Sequence, residues 1–567
     1  MVMIFIGLGY NLPPDTIIWF RRFYKDALII LAIVGLIDFI LNNPQLNKLT
    51  RLTKIDFYFH LFTAIFISLY FLIGENGLRT TCWGRWLIHI QITKYLLFLL
   101  AFSQLSGTVL RYLNSKFMPA RMFGLSFLFF ILIGSLLLSL PNCLQHPISY
   151  VDALFTATSA VCITGLTVVN IGNTFTDTGQ LILLFLIQIG GLGVLSFTTL
   201  FGILAVGKTS LKADQLIKDM LDQNNFNEIF KLLRLIFLTT FVIEFVGAIV
   251  LYQTVGNSEQ MTIRQAIFHS ISAFCNAGFT TYPDGLNTPY LQQNNTFLLA
   301  ISIIVIIGSI GFPVINNLRY GAFLFGKRIS KQFGFKSHYI HQVNIFSINT
   351  KMAVFMTVLL LVIGSVFFFF SERDGLMAGK TLSDKLTLSF FMSMTPRSGG
   401  FNCYNMGEMT QIVVLFSIML MWIGGGPLST GGGIKTTTFG LSVMSIWSIM
   451  RGRDYVEVFH RRINSASILR ASALVFISVV LSAISIILIS IFDPQIPLRN
   501  VLFEVLSAIS TCGLSMDTTP LLSDSSLYVL MILMFCGRVG LLAILESLVR
   551  NEVAKDYQYP TDYVAVG

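Results

Sequence analysis

Eight apolar runs, at residues 123–140, 181–206, 235–251, 297–315, 354–370, 412–422, 473–491 and 527–548, are spread along the last four-fifths of this chain. Most of them approach the roughly 20 residues that a helix needs to cross a bilayer. Only 12% of the 567 residues are charged, 54% are apolar, and the mean hydropathy is +0.74. A soluble protein of this length would need far more charge, so the sequence predicts an all-α integral membrane protein. Three further apolar stretches, 27–41, 57–73 and 95–110, predict extra N-terminal membrane helices within residues 1–115.

The opening MVMIFIGLGYNLPPD has no basic n-region and no small-residue cleavage site, so no cleavable signal peptide is expected. Cys82, Cys143, Cys162, Cys275, Cys403, Cys512 and Cys536 are scattered and odd in number. That arrangement predicts neither a disulfide framework nor a zinc site, but isolated packed thiols. The net charge is +10, and basic residues gather in links between the runs, at Lys208, Lys212 and Lys218, at Arg319, Lys327, Arg328, Lys331 and Lys336, and at Arg451, Arg453, Arg461 and Arg462. Basic links of this kind mark cytoplasmic loops rather than a nucleic-acid surface. The alternate links carry Asp177, Glu259, Asp284, Glu372, Asp374, Asp384, Glu408, Asp517 and Asp524. Acidic outer mouths concentrate cations.

One stretch recurs four times: ALFTATSAVCITGLTV, AIFHSISAFCNAGFTT, SFFMSMTPRSGGFNC and VLFEVLSAISTCGLSM. Phe155, Phe268, Phe390 and Phe503 stand ten residues before Gly165, Gly278, Gly400 and Gly513, and a Leu or Phe follows each glycine. The glycines are 113, 122 and 113 residues apart, and self-similarity at a near-fixed period signals a repeated unit. Each unit reads span, short half-apolar helix, glycine loop, span. The expected divisions are 1–115 for the extra helices, then 116–218, 219–345, 346–465 and 466–567 for repeats one to four.

Irregular backbone at membrane depth is tolerated only where protein buries it or water lines it. Four equivalent loops satisfy that condition together if they converge pseudo-fourfold on one axis, which makes a central pore. Carbonyls beyond the end of a re-entrant helix can replace an ion's hydration shell. Glycine permits the backbone angles that turn successive carbonyls one way, and the helix C-termini are partially negative. The arrangement selects cations.

The fourfold plan resembles the Trk/Ktr/HKT superfamily of potassium transporters over about residues 117–553. TPRSGGFN at 395–402 resembles the family's third filter loop, STGGGIKTTTFG at 429–440 its glycine-rich intramembrane loop, and GRVG at 537–540 the segment placing an arginine below the filter. The resemblance is nearest to the Ktr-type membrane pore subunit, with the Trk-type as neighbour. It implies a transporter rather than an enzyme, K+ as the transported ion and no organic cofactor. The filter it implies comprises Cys162, Ile163, Thr164 and Gly165; Cys275, Asn276, Ala277 and Gly278; Arg397, Ser398, Gly399 and Gly400; and Ser510, Thr511, Cys512 and Gly513. All four filter positions are glycine, which in this family goes with potassium preference. The three preceding positions differ between loops, so the implied symmetry is approximate. A homodimer in the cell membrane, among membrane lipid, with a cytosolic nucleotide-binding regulatory subunit (KtrA/TrkA-like), is likewise implied. Sodium- or proton-coupled flux through the same fold, or another class of secondary transporter, remains the alternative.

After residues 412–422 the span breaks into IGGGPLSTGGGIKTTTFG, whose seven glycines and proline oppose a helix. Interrupted membrane helices mark transport sites, and the resemblance implies a gate made of Gly424, Gly425, Gly426, Ser429, Thr430, Gly431, Gly432, Gly433 and Lys435. A surface linker is the bland reading. Arg538 lies inside an apolar run, where a charge costs about 3 kcal/mol. It is expected to act as an electrostatic barrier below the filter, or else to pair with Glu244 or Glu546. Arg397 is expected behind the filter, paired with Glu504. GILAVGKT at 202–209 matches a phosphate-binding loop formally, but it ends an apolar span, where Lys208 snorkels to the interface. His269 is expected to pack in the second pore helix, and Cys162 and Cys275 to be either buried or pore-facing thiols.

Overall fold

The computed structural model describes residues 119–193, 226–256, 261–283, 285–332, 346–453 and 455–541. The extra helices expected in 1–115, the phosphate-loop match at 202–209, Lys208, Lys212, Lys218, Glu259, Asp284, Lys336, Glu546 and the polar tail lie outside the described residues. The regular elements of the described chain are helices and one two-stranded antiparallel hairpin.

The helices follow a recurrent order. Helix α1 (Pro119–Leu138), short helix α2 (Tyr150–Val161) and α3 (Asp177–Leu192) come first; α4 (Phe226–Val255), short α5 (Ile263–Phe274), α6 (Asn295–Ile310) and α7 (Phe312–Gln332) follow. Next are α8 (Ile348–Ser371), short α9 (Leu382–Met394), α10 (Gln411–Trp422), α11 (Thr436–Met450) and the hairpin β1 (Glu457–Val458) and β2 (Arg461–Arg462). Helices α12 (Ser465–Phe492), short α13 (Leu498–Ile509) and α14 (Asp524–Val539) complete it.

The short helices have 12, 12, 13 and 12 residues, about 18 Å at 1.5 Å per residue. That is well short of the roughly 30 Å hydrocarbon layer, so each must stop partway. Three of them start from capping boxes, Ser149 with Asp152, Thr262 with Gln265 and Thr381 with Asp384, which satisfy first-turn N–H groups. The fourth starts behind Pro497 with no side-chain cap. Phe155, Phe268 and Phe503 of the repeated stretch are buried. In the third unit Phe390 is half-buried and its neighbour Phe391 is fully buried.

Among the described residues, three helices are long and apolar enough to span a membrane alone: Arg234–Val255, Ile348–Ser371 and Ser465–Phe492. The runs at 181–206, 297–315 and 527–548 do not form the continuous spans expected of them. Their helices stop at Gly193, Gly311 and Gly540, which have φ of 80°, 105° and 97°. At Gly311 the axes of α6 and α7 bend by 102°. The cause lies three residues earlier in each case. A side-chain carbon on Gly190, Gly308 or Gly537 would strike the carbonyl oxygen of Val161, Phe274 or Ile509, the last residue of the adjoining short helix. Small residues let the helices touch backbone to backbone, and the next glycine turns the chain away.

Candidate functional site

Each short helix packs on the long helix that precedes it: α2 on α1, α5 on α4, α9 on α8 and α13 on α12. The helix following each loop also touches the next short helix: α3 meets α5, α6 meets α9, α10 meets α13, and α14 returns to α2. The four loops after the short helices are thereby brought together.

Their backbones share one conformation. Ile163, Asn276, Ser398 and Thr511 have φ of 55°, 58°, 67° and 46°, and Gly165, Gly278, Gly400 and Gly513 have φ of 91°, 69°, 70° and 92°. The residue between each pair is not left-handed. Alternating handedness turns successive carbonyls toward one side. Holding a non-glycine residue there costs of order 1–3 kcal/mol, and two of the four are β-branched, for which positive φ is a genuine outlier. Such strain persists only where the surroundings impose it.

Those surroundings are largely hydroxyls that the sequence reading did not single out. Ser159 Oγ accepts the Gly165 amide at 3.0 Å and Ser507 Oγ accepts the Gly513 amide at 3.1 Å. Ser272 Oγ donates to the Phe279 carbonyl at 2.8 Å, and Thr395 Oγ1 to the Phe401 carbonyl at 2.5 Å. The signal was present as Ser-Ala six residues before three of the glycines; Pro396 belongs to the third loop, where Thr395 stands five before. Ser507→Ala leaves a buried N–H unpaired, a cost of about 1–3 kcal/mol. A lowered thermal midpoint of the purified protein, with Ser507→Thr closer to wild type, is the expected result.

A side-chain carbon on Gly278 would lie 2.7 Å from Gly400 Cα, and one on Gly400 would lie 2.6 Å from the Cys512 oxygen. On Gly165 it would strike the Ala277 oxygen, and on Gly513 the Thr164 oxygen. Each loop therefore touches its neighbours through glycine. Among the described residues, the carbonyls at the three positions before each glycine accept no hydrogen bond, except Thr511 O, which takes the Ser398 hydroxyl at 3.0 Å. Buried carbonyls are normally paired. The side-chain oxygens of Thr164, Asn276 and Thr511 are buried and unpaired as well.

The remaining predicted loop residues point elsewhere. Cys162 and Cys275 are fully buried, and Cys275 Sγ donates weakly to Glu244 Oε1 at 3.8 Å, behind its loop. Cys512 Sγ donates to the Pro396 carbonyl at 3.1 Å. Of the two expectations for Cys275, the structure matches the buried thiol. Arg397 does lie behind its loop, but it donates to the Thr357 carbonyl of α8 at 3.2 Å and does not pair with Glu504. Glu504 is already occupied by Ser515 Oγ at 2.5 Å, Thr519 Oγ1 at 2.8 Å and the Met516 amide at 3.1 Å, all on the segment beyond the fourth glycine. Gly399 is buried, with its amide bonded to Thr395 O. His269 packs against Tyr282 and bonds Gln265 O through Nδ1 at 2.7 Å. Nearer the chain's acidic links, Asn295 donates to Asp384 at 2.6 Å, and this bond, with those of Thr381, holds the Asp384 carboxyl below its ordinary range.

The segment between α10 and α11 is not a surface linker. Gly424, Gly425, Gly426, Thr430, Gly431 and Gly432 are buried; Ser429, Gly433 and Lys435 are half-buried. The chain doubles back on itself, with Gly424 N bonded to Ile434 O at 3.0 Å and Gly425 N to Gly432 O at 3.1 Å. It presses against the loops: Gly432 N donates to Ser398 Oγ at 2.9 Å and Thr430 Oγ1 to Phe274 O at 3.1 Å. A side-chain carbon on Gly432 would strike Thr511 Oγ1. Lys435 Nζ donates to Gly431 O at 2.7 Å. Glu546 lies outside the described residues, and Arg538 does not pair with Glu244. Its Nη1 donates to Thr430 O at 2.5 Å and its Nη2 to Gly190 O at 2.6 Å, tying this segment to α3.

Residues 88–552 match the TrkH family, described as a cation transport protein. The chain is 34% identical over 468 residues to the potassium/sodium uptake protein NtpJ of Enterococcus hirae, covering 80% of this chain and 98% of that protein. It is also 34% identical over 458 residues to the Ktr system potassium uptake protein B of Bacillus subtilis, covering 80% and 97%. The crystal structure of the potassium transporter TrkH from Vibrio parahaemolyticus superposes with a TM-score of 0.57 at 15% identity, covering 94% of this chain and 98% of that one. With the glycine loops, the broken α10–α11 segment and the match over most of its length, the chain belongs to the TrkH family of cation transport proteins.

Proposed function

We propose that the protein takes up potassium across the cell membrane through a gated, K+-selective pore made of four span, pore helix, span repeats arranged pseudo-fourfold. The observation that carries this reading is the set of four touching loops with alternating backbone handedness and unpaired buried carbonyls. A dehydrated alkali cation supplies the positive partner those oxygens lack. The filter comprises residues 162–165, 275–278, 397–400 and 510–513. The segment from Gly424 to Lys435 is the gate, seated against the filter by Ser398 and held by Arg538, whose charge repels a cation on the same path. Potassium enters down its electrochemical gradient, to which the membrane potential contributes about 2.3 kcal/mol per charge per 100 mV. The named relatives support the ion. The family likeness supports a homodimer and a cytosolic nucleotide-binding subunit.

Tracer rubidium uptake into K+-loaded liposomes containing the purified chain tests the reading. Uptake without any sodium or proton gradient, suppressed by excess K+ and little affected by excess Na+, is the expected result. Uptake that needs a sodium gradient overturns the pore reading in favour of coupled transport.

A further inference from the structure

The gate helix α11 ends at Met450, and α12 begins at Ser465. The 14 residues between them hold a basic hairpin that the transport reading does not use. Its two strands pair Glu457 with Arg462 and Val458 with Arg461. Val456 and Val458 are buried beneath it, and Ser448 Oγ of α11 donates to Tyr455 O at 2.5 Å, so the hairpin is docked rather than loose.

Its turn is strained. Phe459 and His460 have φ of 48° and 63°, the geometry of a tight hairpin turn that Asn-Gly adopts at low cost. A bulky residue there is an outlier that calls for a cause. The result is an exposed ring at the tip, with Lys351 Nζ of α8 5.9 Å from its centre. Two guanidinium groups lie over aromatic rings: Arg451 is 4.8 Å from the Trp447 ring centre and Arg462 5.3 Å from that of Tyr455. Both arginines are exposed, and a guanidinium held over a ring keeps N–H donors free for bidentate contact with phosphate. Neither they nor the exposed Arg453, Arg461 and Arg470 have a carboxylate partner among the described residues.

We propose that this hairpin is a binding site for the phosphate headgroup of an anionic lipid, gripped by Arg451 and Arg462. Lipid is the occupant because of what flanks the arginines. Met450 and Leu469, on either side of the hairpin, are 73% and 72% exposed, as acyl chains require, while Tyr455 and Phe459 are half-open beside the charges. Aromatic rings next to basic groups at a helix end are the composition of a membrane interface. So short a connection keeps the hairpin at the headgroup level. The site stands apart from the ion path, and its test does not read flux.

Native mass spectrometry of the full detergent-solubilised chain, given phosphatidylglycerol and phosphatidylcholine in equal amounts, provides that test. The wild type retains phosphatidylglycerol in preference, and Arg451→Gln and Arg462→Gln each weaken its retention about fivefold. Arg451→Lys keeps the charge but loses the stacked fork and falls between. An unchanged lipid preference in the double glutamine variant overturns the proposal, as does equal retention of the two lipids by the wild type. Loss of binding to a soluble regulatory subunit, with lipid preference intact, overturns it in favour of protein docking.

Discussion

Gly278→Ser abolishes rubidium uptake, whereas Gly379→Ser leaves it near the wild-type rate. The pair separates two effects that a glycine substitution usually mixes. Both glycines are left-handed, with φ of 69° and 74°, so both substitutions incur backbone strain. Gly379 has nothing within 4 Å of an added carbon. At Gly278 that carbon would sit 2.7 Å from Gly400 Cα and 2.8 Å from its carbonyl carbon. Those neighbours are backbone, which cannot swing aside as a side chain can. The strain alone is about 1–2 kcal/mol. Displacing the third loop adds to it, and each further 1.36 kcal/mol on the barrier slows passage about tenfold; a fall of about a hundredfold or more is expected. Gly165→Ser, which meets the Ala277 oxygen, behaves likewise. If Gly278→Ser and Gly379→Ser slow uptake equally, the crowding of the loops has no part in transport.

The glycine loops were legible because their signal is local: a glycine at a fixed distance from a buried phenylalanine, repeated along one chain. In the third copy the fully buried ring is Phe391, next to the Phe390 that stands ten residues before the glycine. Hydropathy misplaced the ends of the helices after the loops. Glycine hardly lowers the apolar character of a run, and what stops α3, α6 and α14 is close contact with a short helix, seen only in three dimensions. The expected Arg397–Glu504 pair failed for a related reason. Opposite charges invite pairing on paper, but Glu504 is satisfied by donors from 11 to 15 residues ahead in its own segment. The contacts between loops join residues more than a hundred positions apart, and no single-sequence pattern encodes them. The broken α10–α11 segment was legible as irregular backbone. Its partners, Ser398 and Arg538, were not.

Arg538→Gln is expected to raise uptake rather than lower it. Both hydrogen bonds of the guanidinium go to carbonyls, one at Thr430 on the segment proposed as the gate and one on α3 at Gly190. Hydrogen bonds from a charged donor contribute about 1.5–3 kcal/mol each. The gate keeps other tethers, including Gly426 N to Ser309 O at 2.7 Å and Gly432 N to Ser398 Oγ at 2.9 Å, so the segment stays folded when the arginine goes. A loss of about 3 kcal/mol from the seated arrangement shifts its balance against a displaced one by about a hundredfold. Removing a positive charge from the path also lowers the barrier to a cation. Arg538→Lys separates the two contributions. Lysine retains the charge but reaches as a single point and cannot bridge two carbonyls as the planar fork does. If the tether dominates, the lysine variant is as fast as the glutamine variant; if repulsion dominates, it stays near wild type. Slower uptake in both variants would mean that the Thr430–Arg538–Gly190 bridge holds the pore open, and that the gate segment closes by some other contact.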